Sequence, residues 1–158
     1  MTDENVITEE GKQMVGQETV KSLVREIEKG AIIKYAQAID DPNPLWQDGE
    51  YAAKSAYGGI VAPPLFLSAL WTEAMYTSIQ AKLVEIAPSL KRLVEAGDEI
   101  EYFHPIRPGD ALTIDSRFAE IKERQGKSGA MINLTMETTY TNQKGELVIR
   151  ERRSIMKF

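Results

Sequence analysis

The sequence contains no cysteine and only one histidine, His104. Without cysteine the chain can form neither a disulfide framework nor a thiolate nucleophile, which fits a reducing compartment. A single histidine cannot build a His-rich zinc site, and no carboxylates accompany it at the spacing of metal ligands. We therefore expect no bound metal.

Long apolar runs, a basic leader and an excess of positive charge are also missing. No run has the length needed to cross a membrane, and residues 1–12 are acidic and polar, unlike a signal peptide. The formal net charge of -5 argues against general nucleic-acid binding. These absences predict a soluble, cytoplasmic protein with no membrane and no nucleic-acid partner.

The length of 158 residues and the 42% hydrophobic content are typical of one globular domain. Residues 1–17 offer little to bury, so we predict a loose N-terminal arm there. Residues 18–158 are predicted to form a single domain.

The first half of that domain predicts short elements around a polar loop. Pro42 should end the helix before it, because the residue preceding a proline disfavours helical geometry. Asp48 is a suitable helix cap, and the Tyr57-Gly58-Gly59 triplet should break the helix that Asp48 begins. The elements predicted here are a strand (19–27), a helix (28–39), a loop (40–46) and a second helix (50–56).

A longer helix should start at Pro63 or Pro64, where a missing backbone N–H is tolerated, and run to about Ala81. Apolar residues cover nearly the whole circumference of its first turns, which is typical of a buried helix. They are Leu65, Phe66, Leu67, Ala69, Leu70, Trp71, Ala74 and Met75.

From about Gly97 the apolar period changes from helical spacing to two. His104 continues this alternation before the turn at residues 105–110, where Pro108 and Gly109 fit turn positions. Strands that follow helices indicate an α+β protein. A curved antiparallel sheet wrapped around one long central helix, the hot-dog fold, satisfies the pattern. The later strands are predicted near 112–117, 131–140 and 147–157, with a hairpin loop at 123–129 and a turn at 142–146.

The stretch from Tyr35 to Leu70 resembles the motif of MaoC-like (R)-specific enoyl-CoA hydratases and 3-hydroxyacyl dehydratases. The second half of the chain resembles the sheet of the same family, and Ala62-Pro63-Pro64 looks closest to the FAS1-like dehydratase N-terminal domain subgroup. The matching motif positions are Tyr35, Ala36, Asp41, Asn43, Pro44, Leu45 and Ala52.

Two positions depart from that family. Its catalytic histidine falls on Trp46, whose indole is a donor only and cannot act as a base. The family commonly has Ala-His-Gly where this chain has Ala62-Pro63-Pro64, and the glycine N–H polarises the thioester carbonyl. Pro64 has no N–H to offer.

The resemblance implies reversible hydration of an enoyl thioester, on coenzyme A or acyl carrier protein, in fatty acid metabolism, without another cofactor. Because both departures remove chemistry, it implies the substrate-binding subunit of a heteromeric lyase whose isolated chain is weak or inactive. An open sheet edge predicts a dimer joined edge to edge, either with a second copy or with a catalytically complete hot-dog chain. The implied site residues are Asp41 and Asn43 for catalysis, and Trp46, Tyr57, Gly58, Gly59, Pro64 and Ser68 for substrate binding.

Simpler structural roles remain open for these residues. Asp41 and Asn43 suit a turn, Trp46 suits a packing anchor, Gly58 and Gly59 suit a turn, and Ser68 suits a bond back to its own helix. For the basic side chains Arg150, Arg152 and Arg153, a solvated strand face is the alternative to contact with a coenzyme A phosphate. Two rival functions also remain: a non-catalytic acyl-thioester binding or scaffold protein, and a hot-dog thioesterase that uses Asp41 or a glutamate to direct water.

Overall fold

The computed structural model describes residues 6–126 and 129–158. No helix in these two ranges is long and apolar enough to cross a membrane. The elements in chain order are α1 (Glu9–Gln13), β1 (Glu18–Glu26), α2 (Lys29–Ala38), α3 (Pro44–Gln47), α4 (Gly49–Lys54), a 3-10 helix (Pro64–Leu70), α5 (Glu73–Ile86), β2 (Leu93–Tyr102), β3 (Ala111–Gly126), β4 (Gly129–Thr141) and β5 (Leu147–Lys157).

The strands form one five-stranded sheet in the order β1-β3-β4-β5-β2, and every neighbouring pair is antiparallel. In β3 the buried residues Leu112, Ile114, Ser116 and Phe118 alternate with more exposed ones, as a strand with one buried face requires. The sheet curves around the 3-10 helix and α5, whose apolar side chains join the same core. The α+β class and the hot-dog fold are confirmed.

The predicted long helix is wrong in its continuity. The chain runs as a 3-10 helix to Leu70, becomes extended at Trp71 (ψ 136°) and restarts as α5. The break is favoured because the Thr72 side chain caps α5 by accepting from Met75 N. α5 also runs beyond Ala81, since Leu83 and Ile86 extend its buried row.

The all-round burial predicted for that helix is also only partly correct. Phe66, Leu67 and Leu70 are buried, whereas Leu65 is 58% exposed. Ala69 and Ala74 are exposed as well. The helix therefore keeps one apolar face in the core and leaves another at the surface.

The part of the predicted N-terminal arm that the structure describes packs against the end of α5; residues 1–5 lie outside the described ranges. Thr8 N donates to Ile86 O at 2.9 Å, and the Thr8 hydroxyl caps α1. A Cβ added at Gly11 would lie 2.8 Å from Ile86 Cα. The segment is thus held because a capped turn with a glycine can approach the end of α5 closely, and Ile7 is buried beside it.

Most other elements agree with the sequence predictions, and β5 spans the predicted residues. β2 begins four residues earlier than Gly97, and β3 and β4 extend into the predicted hairpin loop because their pairing continues to Gly126 and Gly129. Residues 127 and 128 of that loop lie outside the described ranges. Gly109 adopts φ 87°, as the predicted turn requires.

Candidate functional site

The predicted catalytic loop follows the end of α2. Asp40 adopts a left-handed conformation (φ 54°), and Asp41 N donates to Ala36 O at 2.9 Å. These features end the helix and direct the chain into the loop. The loop is shorter than predicted, because Asn43 Oδ1 accepts from Leu45 N at 3.0 Å and caps the short helix α3, with Pro44 at its first position.

Both carboxylate oxygens of Asp41 accept hydrogen bonds within this loop. Oδ1 accepts from Asn43 N at 3.0 Å, and Oδ2 accepts from Trp46 Nε1 at 2.8 Å. The Asp41 carbonyl oxygen accepts from Gln47 Nε2 at 2.9 Å. The Asp41–Trp46 pair therefore joins an acceptor to a side chain that can only donate, so this pair holds the loop and cannot exchange a proton through Trp46.

A groove of about 280 Å³ lies beside this loop, close to the lower end of the usual range for ligand sites. Residues 61–64 form one wall of the groove and residues 102–106 form another. The two walls are joined by a hydrogen bond of 2.9 Å from Ala62 N to Ile106 O. The hydroxyl of Tyr102 donates to the Pro64 carbonyl oxygen across the same region. The lining residues are Trp46, Tyr57, Val61, Ala62, Pro63, Pro64, Tyr102, Phe103, His104, Pro105 and Ile106.

The structure brings together three of the predicted substrate-binding residues, namely Trp46, Tyr57 and Pro64. Asp41 does not line the groove and contacts it only through the Trp46 indole. Gly58 and Gly59 do not line it either; Gly58 has φ 67°, which fits a turn glycine.

Ser68 is also absent from the groove lining. Its hydroxyl donates to Leu65 O at 2.8 Å, the bond back to its own helix that was the structural alternative. The hydroxyl of Tyr35 donates to the same carbonyl at 2.8 Å.

His104 is a lining residue that sequence reasoning assigned to the alternating core of a strand. That assignment is wrong, because β2 ends at Tyr102 and His104 is exposed at the groove. The signal that identifies it is Pro105, since a proline directly after the histidine favours a strand end and a turn. His104 supplies the groove with an ionisable side chain.

The three arginines of β5 divide between the two faces of the sheet. Arg150 pairs with Glu101 at 3.1 Å, and Arg152 lies opposite Glu99 and Glu137 in the strand register. Both belong to the solvated face, as the structural alternative stated. Arg153 does not; it is 9% exposed and points into the core.

Arg153 is part of a buried polar network that the sequence did not reveal. Its guanidinium donates to Glu151 at 2.6 Å and to Asp98 at 3.0 Å. The hydroxyl of Tyr140 donates to the other Glu151 oxygen at 3.0 Å and accepts from Trp71 Nε1 at 2.9 Å. Burial raises the pKa of the Glu151 carboxyl, and the charge of Arg153 opposes this change. The network joins the break before α5 to the sheet.

Comparison with known proteins places this architecture in a family. The model of the FAS1-like, dehydratase domain region matches residues 13–151. A UPF0336 protein from Thermobifida fusca is 31% identical over 124 residues, which are 78% of each chain.

Two solved structures share the fold. A MaoC-like dehydratase from Rhodospirillum rubrum is 28% identical, with a TM-score of 0.66, covering 91% of this chain and 92% of its own. A chain of the HadBC (3R-hydroxyacyl-ACP dehydratase) complex from Mycobacterium tuberculosis is 21% identical, with a TM-score of 0.65, covering 87% and 96%. The matched model spans most of the fold, including the Asp41 loop and the groove, and the chain therefore belongs to the FAS1-like dehydratase domain family.

Proposed function

We propose that this chain is the acyl-thioester-binding subunit of a hydratase or dehydratase, and that a second hot-dog chain supplies the acid–base residues. The observation that carries this proposal is the bond from Trp46 Nε1 to Asp41. At the position of the family's histidine, the chain has a side chain that donates to the aspartate and cannot accept a proton.

Hydration of an enoyl thioester needs a base for the water, a proton for the α-carbon and a polarised carbonyl. The Asp41 oxygens already accept from Asn43 N and Trp46 Nε1. Pro64 has no N–H, and its own carbonyl accepts from Tyr102. These features support a chain that has the fold of the family but lacks the groups with which a single-chain hydratase would activate water and polarise the thioester carbonyl.

The groove supports the binding role. It is lined mainly by aromatic rings, prolines and aliphatic side chains, the surface that binding pockets for apolar ligands present. In the proposal Trp46, Tyr57 and Pro64 contact the acyl thioester of coenzyme A or acyl carrier protein, and His104 lies at the same surface. Asp41 and Asn43 shape the loop behind Trp46.

The edge strand β2 supports a partner. Leu93, Val94, Tyr102 and the adjacent Phe103 are each between 41% and 46% exposed. Within the described residues β2 pairs only with β5, so its other edge is open. The HadBC complex provides a precedent for a complex in a protein that shares this fold.

A binding and turnover experiment tests the proposal. We expect the purified chain to hydrate crotonyl-CoA negligibly and to bind butyryl-CoA, which tryptophan fluorescence can report through Trp46. Ala62→Trp should abolish binding because it fills the groove. Ala53→Trp, an exposed position on α4 outside the groove, is the matched control.

Co-purification of a hot-dog partner from the native host should restore hydration. In that complex Asp41→Asn should reduce turnover far less than loss of the partner's own aspartate. Robust hydration by the lone chain, abolished by Asp41→Asn, would overturn the subunit proposal. Release of free coenzyme A by the lone chain would favour the thioesterase, and binding without turnover in any complex would favour the scaffold.

A further inference from the structure

The two walls of the groove are joined at both of their ends. At one end Ala62 N donates to Ile106 O at 2.9 Å. At the other end the hydroxyl of Tyr102 donates to Pro64 O, and we call this contact the Tyr102 bridge. Because residue 62 is joined to residue 106 and residue 64 to residue 102, the groove lies between the two bonds.

The two ends differ in what closes them. The bond between Ala62 and Ile106 joins main-chain atoms and depends on neither side chain. The Tyr102 bridge depends on one phenol. Tyr102 lies opposite the buried Ile149 in the strand register, and its ring therefore stands on the inner face of the sheet, toward the 3-10 helix. A ring that reaches from the sheet to the helix fills space at that end of the groove.

The Tyr102 bridge joins two positions that the fold holds in place. Burial, and then the charge of Glu151, raise the pKa of the Tyr102 hydroxyl, so it keeps its proton at neutral pH. Its acceptor belongs to Pro64, the first residue of the 3-10 helix. The hydroxyl of Tyr35 donates to the next carbonyl, Leu65 O, at 2.8 Å. The start of the helix is thus fixed against α2 and β2 by two phenols.

The helix surface that follows the Tyr102 bridge is apolar and open. Leu65 comes directly after Pro64 and is 58% exposed. Ala69 on the same helix is also exposed. The hydroxyl of Ser68, between them, is already used in the bond of 2.8 Å to Leu65 O. This surface can cover methylene groups, and a chain that leaves the groove toward Leu65 has to pass the Tyr102 ring.

We propose that Tyr102 determines the length of the acyl group that the groove accepts. With the ring in place the groove encloses a short acyl chain, and without it a longer chain continues along Leu65 and Ala69. This rests on the proposed function, whose substrate it specifies. The groove volume of about 280 Å³ agrees with a short chain. The role of Tyr102 is steric, since its hydroxyl proton is committed to Pro64 O.

The dependence of affinity on chain length is the measurable signature. Each methylene group that moves from water into an apolar site tightens binding about fourfold. A methylene group that stays in water adds nothing. If the groove ends at Tyr102, butyryl-CoA and octanoyl-CoA should bind the wild-type chain with Kd values within about threefold of each other.

Titration calorimetry of the full chain with these two thioesters tests the proposal. Tyr102→Ala removes the ring, so octanoyl-CoA should bind this variant at least about tenfold tighter than butyryl-CoA, which requires burial of only about two further methylene groups. Tyr102→Phe keeps the ring and removes only the bond, so its preference for octanoyl-CoA should be smaller. Tyr102→Val serves if the alanine variant does not fold, because valine suits a strand and is too short to reach Pro64 O.

Tyr51→Ala is the matched control. Tyr51 is 53% exposed and Tyr102 is 45% exposed, and Tyr51 lies on α4 outside the groove. The control removes the same ring from a similarly exposed position. It should leave the ratio of the two Kd values as in the wild-type chain.

Two results would overturn the inference. One is a wild-type chain that already binds octanoyl-CoA more than about tenfold tighter than butyryl-CoA, and the other is a Kd ratio that Tyr102→Ala leaves unchanged. Both results leave the proposed function intact, since butyryl-CoA still binds. Failure of the wild-type chain to bind either thioester would refute the proposed function and this inference with it.

Discussion

The buried network around Tyr140 gives the sharpest test of how the helix break is held. The side chains of Tyr140 and Glu151 are fully buried, and Trp71 is 7% exposed. The Tyr140 hydroxyl makes two bonds, one from Trp71 Nε1 and one to Glu151. Tyr140→Phe keeps the ring in the core and removes only this hydroxyl, so it isolates the polar contribution.

The expected cost follows from what the substitution leaves behind. A buried donor without an acceptor costs about 1–3 kcal/mol, and loss of a hydrogen bond to a charged group costs about 1.5–3 kcal/mol. The Trp71 N–H loses its acceptor, while Glu151 keeps the Arg153 guanidinium. We therefore expect Tyr140→Phe to lower the free energy of unfolding by about 2–5 kcal/mol.

Urea denaturation at neutral pH measures this loss, provided that the m-value is unchanged. Tyr51→Phe, at a hydroxyl on a 53% exposed residue, is the control and should stay within about 0.5 kcal/mol of wild type. A double-mutant cycle with Trp71→Phe should give a coupling energy of about 1 kcal/mol. A loss below about 0.5 kcal/mol for Tyr140→Phe would refute the argument that these bonds exist in the folded chain.

Two further stability predictions concern the helices. Leu70 is 6% exposed at the end of the 3-10 helix, so Leu70→Ala should cost about 2–5 kcal/mol in the same titration, and a loss under about 0.5 kcal/mol would contradict its burial. Asp48 accepts from Glu50 N at 2.9 Å and Tyr51 N at 3.1 Å at the start of α4. Asp48→Ala should therefore cost about 1 kcal/mol, whereas Asp48→Asn should cost less, and equal losses would exclude a capping role.

The strands were predictable because their signal is local. A half-buried strand alternates apolar and polar residues, and β4 shows this alternation from Ile132 to Glu137. The turn at Gly109 was equally local, since its φ of 87° suits glycine. Asp48 was recognised as a cap for the same reason, because a cap acts on backbone groups two or three residues away.

The helix break was not predictable in that way. The mainly apolar stretch from Pro64 to Met75 fits one buried helix. Thr72 does not interrupt the helical spacing of the apolar residues around it. The break depends on Trp71 reaching Tyr140, which lies 69 residues further along the chain. This contact requires the fold before Trp71 and Tyr140 can be identified as neighbours. His104 differs, because the proline directly after it is a local signal for the end of a strand.

In the proposed function, the positions of the Asp41 loop and of the edge strand β2 determine which residues of this chain lie near the reacting groups. Asp41 matches the aspartate of the family motif, yet its carboxylate is bonded within its own loop and does not line the groove. Phe103 and His104 line the groove directly after the end of β2. If a partner strand docks along β2, its chain reaches the groove from that side. In the proposed function, the residues of this chain nearest to the partner's acid–base pair are then Tyr102, Phe103 and His104, and we expect Asp41 to affect turnover only through the position of Trp46.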